Sequence, residues 1–387
     1  MSAAAEPKVY GWCPGALRPM MSGDGLVVRV RAPLGRLTQD QARGVAQLSQ
    51  THGNGLLDIS ARANLQMRGI REDRHQELIT GLRDLGLIDL DAQAEARRNV
   101  LLAPFWRTGD DTQAIARDLS AALTAVTDFT LPGKFGFAVD CGAEPVLQDT
   151  AADIRIERAG NTLILRADGA ETGTPVTRES AVPEALALAR WFLDQGGAPE
   201  GRGRMHRLIA RRGPPEAHAA AMAKADFCAK PGAVPAGRLA ALEFGQMPAA
   251  TLAALADLGP LRLTPWRALL VEGADQLPRL PGLILGATDP RLQVVACTGA
   301  PGCLQALSPT RDLARALAPH VPAGTKLHVS GCTKGCACPG PAPLTLTATG
   351  PDNFSLIRHG TAADQPLKTR LSAAALRAAP ELLKEGS

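Results

Sequence analysis

Residues 57–69 read LDISARANLQMRG, and residues 261–273 read LRLTPWRALLVEG. Laid on one another without gaps, both run apolar, charged, apolar, hydroxyl, and both close on a half-buried strand ending in Gly. Upstream, LVVRVRAPLGRLTQDQARGVAQLSQ (26–50) and RLAALEFGQMPAATLAALADLG (238–259) each describe a strand, a turn and an amphipathic helix. Downstream, RNVLLA (98–103) resembles RLQVVAC (291–297), and GKFGFAVDC (133–141) resembles TKLHVSGC (325–332). The pieces keep their order in both halves, so the chain is expected to be a duplicated α+β structure.

Between the halves runs a Gly/Pro/Ala-rich stretch, about 196–237, containing GGAPEGRGR and ARRGPPEA. It reads as a connector with a helix over 216–227. Two other helices are predicted, over 183–194 and over 308–318, the latter with Ser308 as cap and Pro309 at the first helical position.

The chain has 387 residues, 45% hydrophobic and 21% charged, which suits several packed domains with full cores. Aromatics make up only 3%, so the core must rest on Ala, Leu and Val. A net charge of +4 is too small to imply nucleic acid or an anionic membrane as partner. The first residues show no secretory pattern, and no apolar run approaches the roughly 20 residues of a membrane span. A reducing cytoplasm is the expectation, where eight cysteines point to metal or catalysis rather than disulfides.

Four of the eight form two turn-borne pairs. VVACTGAPGCLQALSP (294–309) and VSGCTKGCACPGPAP (329–343) give C-x5-C, a gap of 28 residues, then C-x3-C. Each pair follows an apolar strand-like run, and Gly-rich turns let backbone N–H groups face cluster sulfurs. Cys297, Cys303, Cys332 and Cys336 are therefore the expected ligands of one [4Fe-4S] cluster. Zinc knuckles are usually tighter, C-x2-C to C-x4-C. Cys338 is a possible substitute for Cys336. Cys13, in a CPG turn, and the isolated Cys141 and Cys228 read as inert thiols.

Four cations sit near strand starts. Arg62 precedes a strand and Arg68 follows six residues on, an even spacing that would share a face. Arg98 opens RNVLLA and Lys134 opens KFGFAVD. Convergent guanidinium forks would suit carboxylates, although strand-end cations are often merely solvated.

The cysteine array, the duplication and this cation set together resemble the sirohaem-dependent nitrite and sulfite reductases. That family's motifs are T-x-R-Q-x-x-Q-x-x-G, N-R-N-V and R-K-F-K. Here SARANLQMRG supplies Arg62, RRNV supplies Arg98 and PGKFG supplies Lys134. Gln is replaced by Ala63, and Gly133 and Gly136 stand where the family has cations. Losing those cations weakens a site for sulfite or nitrite, and the two glycines would open space for something larger. The run WCPGALRPMMSGDGLVVRVR (12–31) with NGLLDISARANLQMRGI (54–70) is similar, more narrowly, to the precorrin-3B synthases of the same superfamily.

The resemblance implies a duplicated nitrite/sulfite reductase-like α+β fold with a pseudo-two-fold. Ferredoxin-like half-domains would span 20–80 and 237–285, reductase-type α+β domains 90–195 and 290–380, and a linker 196–236. It implies an O2-dependent monooxygenase that hydroxylates precorrin-3A at C-20 and closes a γ-lactone from the ring A acetate. Arg62, Arg98 and Lys134 would be catalytic, and these three with Arg68 would bind the substrate's carboxylates in one cavity above the cluster. The implied cofactors are the [4Fe-4S] cluster and a mononuclear non-haem iron, with sirohaem only if the chain is a true nitrite or sulfite reductase. An iron–sulfur sensor or scaffold is the non-enzymatic alternative, and it needs no anion cavity.

No G-x-G-x-x-G follows a predicted strand, so electrons from NADH would arrive through a separate donor. The iron ligands are not legible: His52, His75, His206, His218, His320, His328 and His359 are scattered without a 2-His-1-carboxylate pattern. In the internal alignment His328 falls opposite Gly136.

Overall fold

The computed structural model describes residues 14–384, so Cys13 lies outside the described residues. The first half opens with the strands Met20–Ser22 and Gly25–Val30, followed by the helix Gln39–His52. Thr38 caps that helix through Gln41 N–H, and the Gln41 side chain returns the bond to Thr38 N–H. Such a reciprocal cap is worth about 1 kcal/mol and fixes where the helix begins. The hairpin Leu56–Ile59 and Leu65–Ile70 completes the half, its Leu57, Leu65 and Met67 fully buried.

The second half repeats this plan with the strands Gly232–Val234, Gly237–Leu242, Leu261–Leu263 and Ala268–Glu272, and the helix Ala249–Ala256. Leu57–Gly69 lies on Leu261–Gly273 as aligned. Ala63 and Arg267 are both left-handed (φ 52° and 55°), and so are Gly69 and Gly273 (φ 64° and 69°). A left-handed non-glycine residue is uncommon, so its recurrence at equivalent positions marks a true repeat.

The halves also exchange strands. Gln246–Pro248 of the second half pairs with Leu56–Asp58 of the first, and Arg36–Leu37 of the first pairs with Leu261–Arg262 of the second. One core spans both sheets, with Val28, Leu57 and Leu78 packed among Met247, Leu252 and Val271.

Each half continues into a second sheet. One runs 100–102, 137–140, 154–159, 162–167, 172–176 and the other 294–296, 327–330, 342–350, 353–360, 368–371. In both, the first three strands are parallel and the rest antiparallel. A helix follows the first strand in each, Asp111–Ala125 and Arg311–Leu317. Among the described residues no helix is long and apolar enough to cross a membrane.

Three local expectations are corrected. The connector's helix is Met205–Arg212, where Met205, Leu208 and Ile209 form a buried stripe. Residues 216–227 are not helical, and Ala220–Ala221 joins a sheet edge instead. The Ala-rich run has helix propensity but no apolar stripe to bury, and isolated propensity does not sustain a short helix. The helix expected over 308–318 starts at Arg311, because Ser308 Oγ donates to the Gly350 carbonyl and Thr310 Oγ1 to that of Cys297. His328 pairs with Val295 and Thr345 one position after Leu327, as Ala138 follows Phe137, so its counterpart is Ala138 rather than Gly136.

Candidate functional site

The strand Val294–Ala296 delivers Cys297 into a turn closed by Cys303 N–H on the Gly299 carbonyl at 2.9 Å. The neighbouring parallel strand Leu327–Ser330 delivers Gly331 and Cys332. Gly331 N–H donates to Cys297 Sγ at 3.1 Å, the kind of backbone bond that favours a thiolate. A side chain at Gly331 would meet Ala306 Cβ at 2.7 Å, so only Gly lets the two cysteine loops approach.

Burial, and then the sulfurs of Cys297 and Cys303, push the Cys332 thiol up. Cys336 is exposed as a residue, yet desolvation and then Cys332, Cys297 and Cys303 raise its thiol too. The four expected ligands thus lie within electrostatic reach of one another. Among the described residues no three His, Cys, Asp or Glu side chains are gathered tightly enough to hold one metal ion. Four cysteines around a four-iron cluster stand wider than four around one zinc, because each holds a different iron. Cys338 Sγ is directed elsewhere, to the Gly340 carbonyl at 3.6 Å.

Arg68 does not share a face with Arg62. Arg62 lies in the turn before the strand, where left-handed Ala63 breaks the two-residue period. Arg68, 5% exposed, pairs with Asp24 at 2.9 Å and Asp58 at 3.2 Å. Its Nη2 also donates to the Gly302 carbonyl at 2.8 Å, which Ser22 Oγ bonds as well. Arg68 therefore ties the first cysteine loop to the first half-domain.

Arg62 and Arg98 do line one cleft, together with Arg31, Arg262 and Trp106. Its volume is about 20 Å³, room for one water, and the cluster cysteines do not line it. Arg98 holds Asp89 through both Nε and Nη2, at 2.7 and 2.9 Å, and also the Arg31 carbonyl. Arg62 Nη2 donates to the Lys134 carbonyl at 2.8 Å, while the exposed Lys134 is not among the lining residues.

Sequence reasoning missed Arg31 and Arg262. Arg31 is 7% exposed, its Nε is buried without a partner, and burial pushes it down to about 10. It also lines a larger cavity of about 270 Å³ with Arg18, Arg97 and Gly133. Arg262 stacks over Trp106 at 3.8 Å and pairs with Glu272 at 2.6 Å. Arg262 lies within the strand Leu261–Leu263 and Arg31 directly follows the strand Gly25–Val30; each stands between two apolar residues, and that alternation was the available signal. Of the two glycines expected to open space, only Gly133 lines a cavity. The position beside Gly136 is filled by Asn99, whose Nδ2 would stand 2.6 Å from an added Cβ.

The architecture is a duplicated nitrite/sulfite reductase-like α+β fold. Residues 18–85 match the nitrite/sulfite reductase ferredoxin-like half domain, and the structure of the NirA protein of Mycobacterium tuberculosis superposes with a TM-score of 0.65. That superposition covers 94% of this chain and 81% of the other at 18% identity, a likeness of fold. Among named relatives, the chain is similar to a precorrin-3B synthase of Sinorhizobium, 29% identical across 92% of this chain and 84% of the relative. A ferredoxin–nitrite reductase of Synechococcus elongatus is 26% identical across 85% and 77% respectively.

Proposed function

We propose that this protein is an oxidoreductase that converts precorrin-3A to precorrin-3B, hydroxylating C-20 and closing the ring A acetate into a γ-lactone. The observation that carries the reading is the likeness to a precorrin-3B synthase across 92% of this chain, with the four-cysteine array present and Gly133 where the reductases have a cation. Cys297, Cys303, Cys332 and Cys336 would hold a [4Fe-4S] cluster, which supplies electrons one at a time when bound. The residues fit that group: a backbone N–H bonds one sulfur, and buried donors near the loops lack protein acceptors.

A mononuclear iron is not supported in the same way. His52 lies 3.8 Å from Glu77, His75 bonds the Ala16 carbonyl and His206 lies 3.5 Å from Asp168. These histidines are dispersed, and no step is assigned through such an iron.

The chain's own residues would bind and orient a polycarboxylate tetrapyrrole. Arg62 and Arg98 would pair with its carboxylates, with Lys134 at the outer edge and Arg31 between the two cavities. Arg98 is held by Asp89, so seating the substrate would require that pair to part. Arg68 would hold the cluster loop in place rather than touch the substrate. O2 would be the co-substrate, and a separate protein would pass on electrons from NADH.

Purified protein given precorrin-3A, O2 and a reductant should yield a product heavier by one oxygen atom. Its visible spectrum should show a brown cluster without sirohaem bands. Sirohaem bands together with nitrite or sulfite reduction, and no tetrapyrrole product, would overturn the proposal in favour of a true reductase.

A further inference from the structure

The turn that carries Arg62 has a counterpart in the second half, and the two have diverged. Ala63 and Arg267 share one left-handed conformation, but Ala63 is a methyl in the shared core and Arg267 is a guanidinium. Arg267 Nη2 donates to the Ala337 carbonyl at 2.8 Å, directly after Cys336 of the second cysteine pair. Its Nη1 is buried without a hydrogen-bond partner. Burial, and then Arg311, hold Arg267 below its ordinary value, while Asp58, Cys338 and Cys297 act the other way.

Two further donors surround the same place. His328 is fully buried, neither ring nitrogen is bonded, and burial followed by Arg267 pushes it down to about 4. A neutral ring still offers one N–H. Its Cε1 would be 3.6 Å from a Cβ at Gly335, directly before Cys336. Arg311 opens the helix after the first cysteine loop, reaches Asp58 at 3.4 Å, and keeps a buried Nε without a partner. Buried donors without acceptors are rare, and three of them beside one set of cysteine loops point to an anionic acceptor.

We propose that Arg267, supported by Arg311 and His328, is the built-in counter-charge of the four-iron cluster and holds its reduction potential up. A cation near a cluster favours the more negative, reduced form, and N–H bonds to its sulfurs act in the same direction. Arg267 is a positioning residue here: it sets the cluster's energy and does not touch the substrate. The duplication has thus produced two versions of one turn, Arg62 directed to the substrate cleft and Arg267 to the cluster. This inference rests on the cluster reading but not on the identity of the substrate.

The test is an EPR-monitored redox titration of anaerobically purified, cluster-loaded wild type, R267Q, R267K and R311Q. R267Q should keep its iron and its reduced-cluster signal while its midpoint shifts to lower potential. R267K should fall between R267Q and wild type, and R311Q should shift the same way by less. A loaded R267Q with a wild-type or higher midpoint would overturn the proposal. If R267Q does not hold the cluster, R311Q decides, and an unchanged midpoint there overturns it as well. A wild type lacking a four-iron signal would instead remove the cluster reading underneath.

Discussion

Arg62 and Arg98 line one cleft but differ in what else they do. Arg62 donates to a backbone carbonyl at the open edge, whereas Arg98 also neutralises the largely buried Asp89. A charge-assisted bond to a carboxylate is worth about 1.5–3 kcal/mol, or roughly one to two factors of ten in affinity. Arg62→Ala should weaken precorrin-3A binding by about that much, with stability and cluster absorbance unchanged. Arg98→Ala should weaken binding similarly and also lower stability, because Asp89 is left alone. Binding equal to wild type in both variants, measured by fluorescence or calorimetric titration, would remove them from the site. Asp140 reports on pH in the same way. It is 2% exposed and accepts N–H bonds from Val146 and Leu147, yet burial still pushes it up to about 6. The native state therefore holds a proton that the unfolded chain, near 3.9, has already lost. The stability linked to Asp140 is present below about pH 4 and falls by about 2–3 kcal/mol as pH rises through 6. Urea unfolding of Asp140→Asn against wild type should show the variant gaining about that much, relatively, from pH 4 to pH 7. A difference that does not change with pH would mean that Asp140 titrates normally.

At the level of elements, the exchanged strands hold the halves together. Leu56–Ile59 would be an open sheet edge without Gln246–Pro248, and Leu57 would lose the cover of Met247. Across the other exchange, Arg36 and Arg262 both bond Glu272. Burial works against that carboxylate's charge, but the two guanidiniums hold it below the usual range. A fragment of residues 14–90 should therefore be unfolded alone by circular dichroism and regain structure when mixed with residues 228–384. A folded, monomeric fragment 14–90 would show that the exchange is dispensable. The repeat itself was legible, since left-handed Ala63 and Arg267 fall where the ungapped alignment places them. The exchange was not, because a two- or three-residue strand leaves no period to read, and its partner lies some 200 residues away.

In the whole molecule, the candidate cluster loops come from the last sheet but are clamped by the first half-domain through Arg68 and Ser22 on Gly302. Cys297→Ser, Cys303→Ser, Cys332→Ser and Cys336→Ser should each lose most of the iron and the brown colour, whereas Cys338→Ser should keep both. Iron analysis and EPR check this, and a serine variant with full iron and signal would remove that cysteine from the set. The cysteine spacing, the duplication and two cations of the cleft, Arg62 and Arg98, were written in local order, because strands, turns and chelating pairs are set by neighbours in the chain. What Arg68 does was decided only by tertiary structure: its even spacing from Arg62 suggested a shared face, but the turn at Ala63 sends it to Asp24, Asp58 and the cluster loop. Arg31, Arg267 and His328 were likewise invisible as a set. Their meaning lies in burial without partners, and whether a buried donor finds an acceptor depends on which distant segments the fold brings beside it.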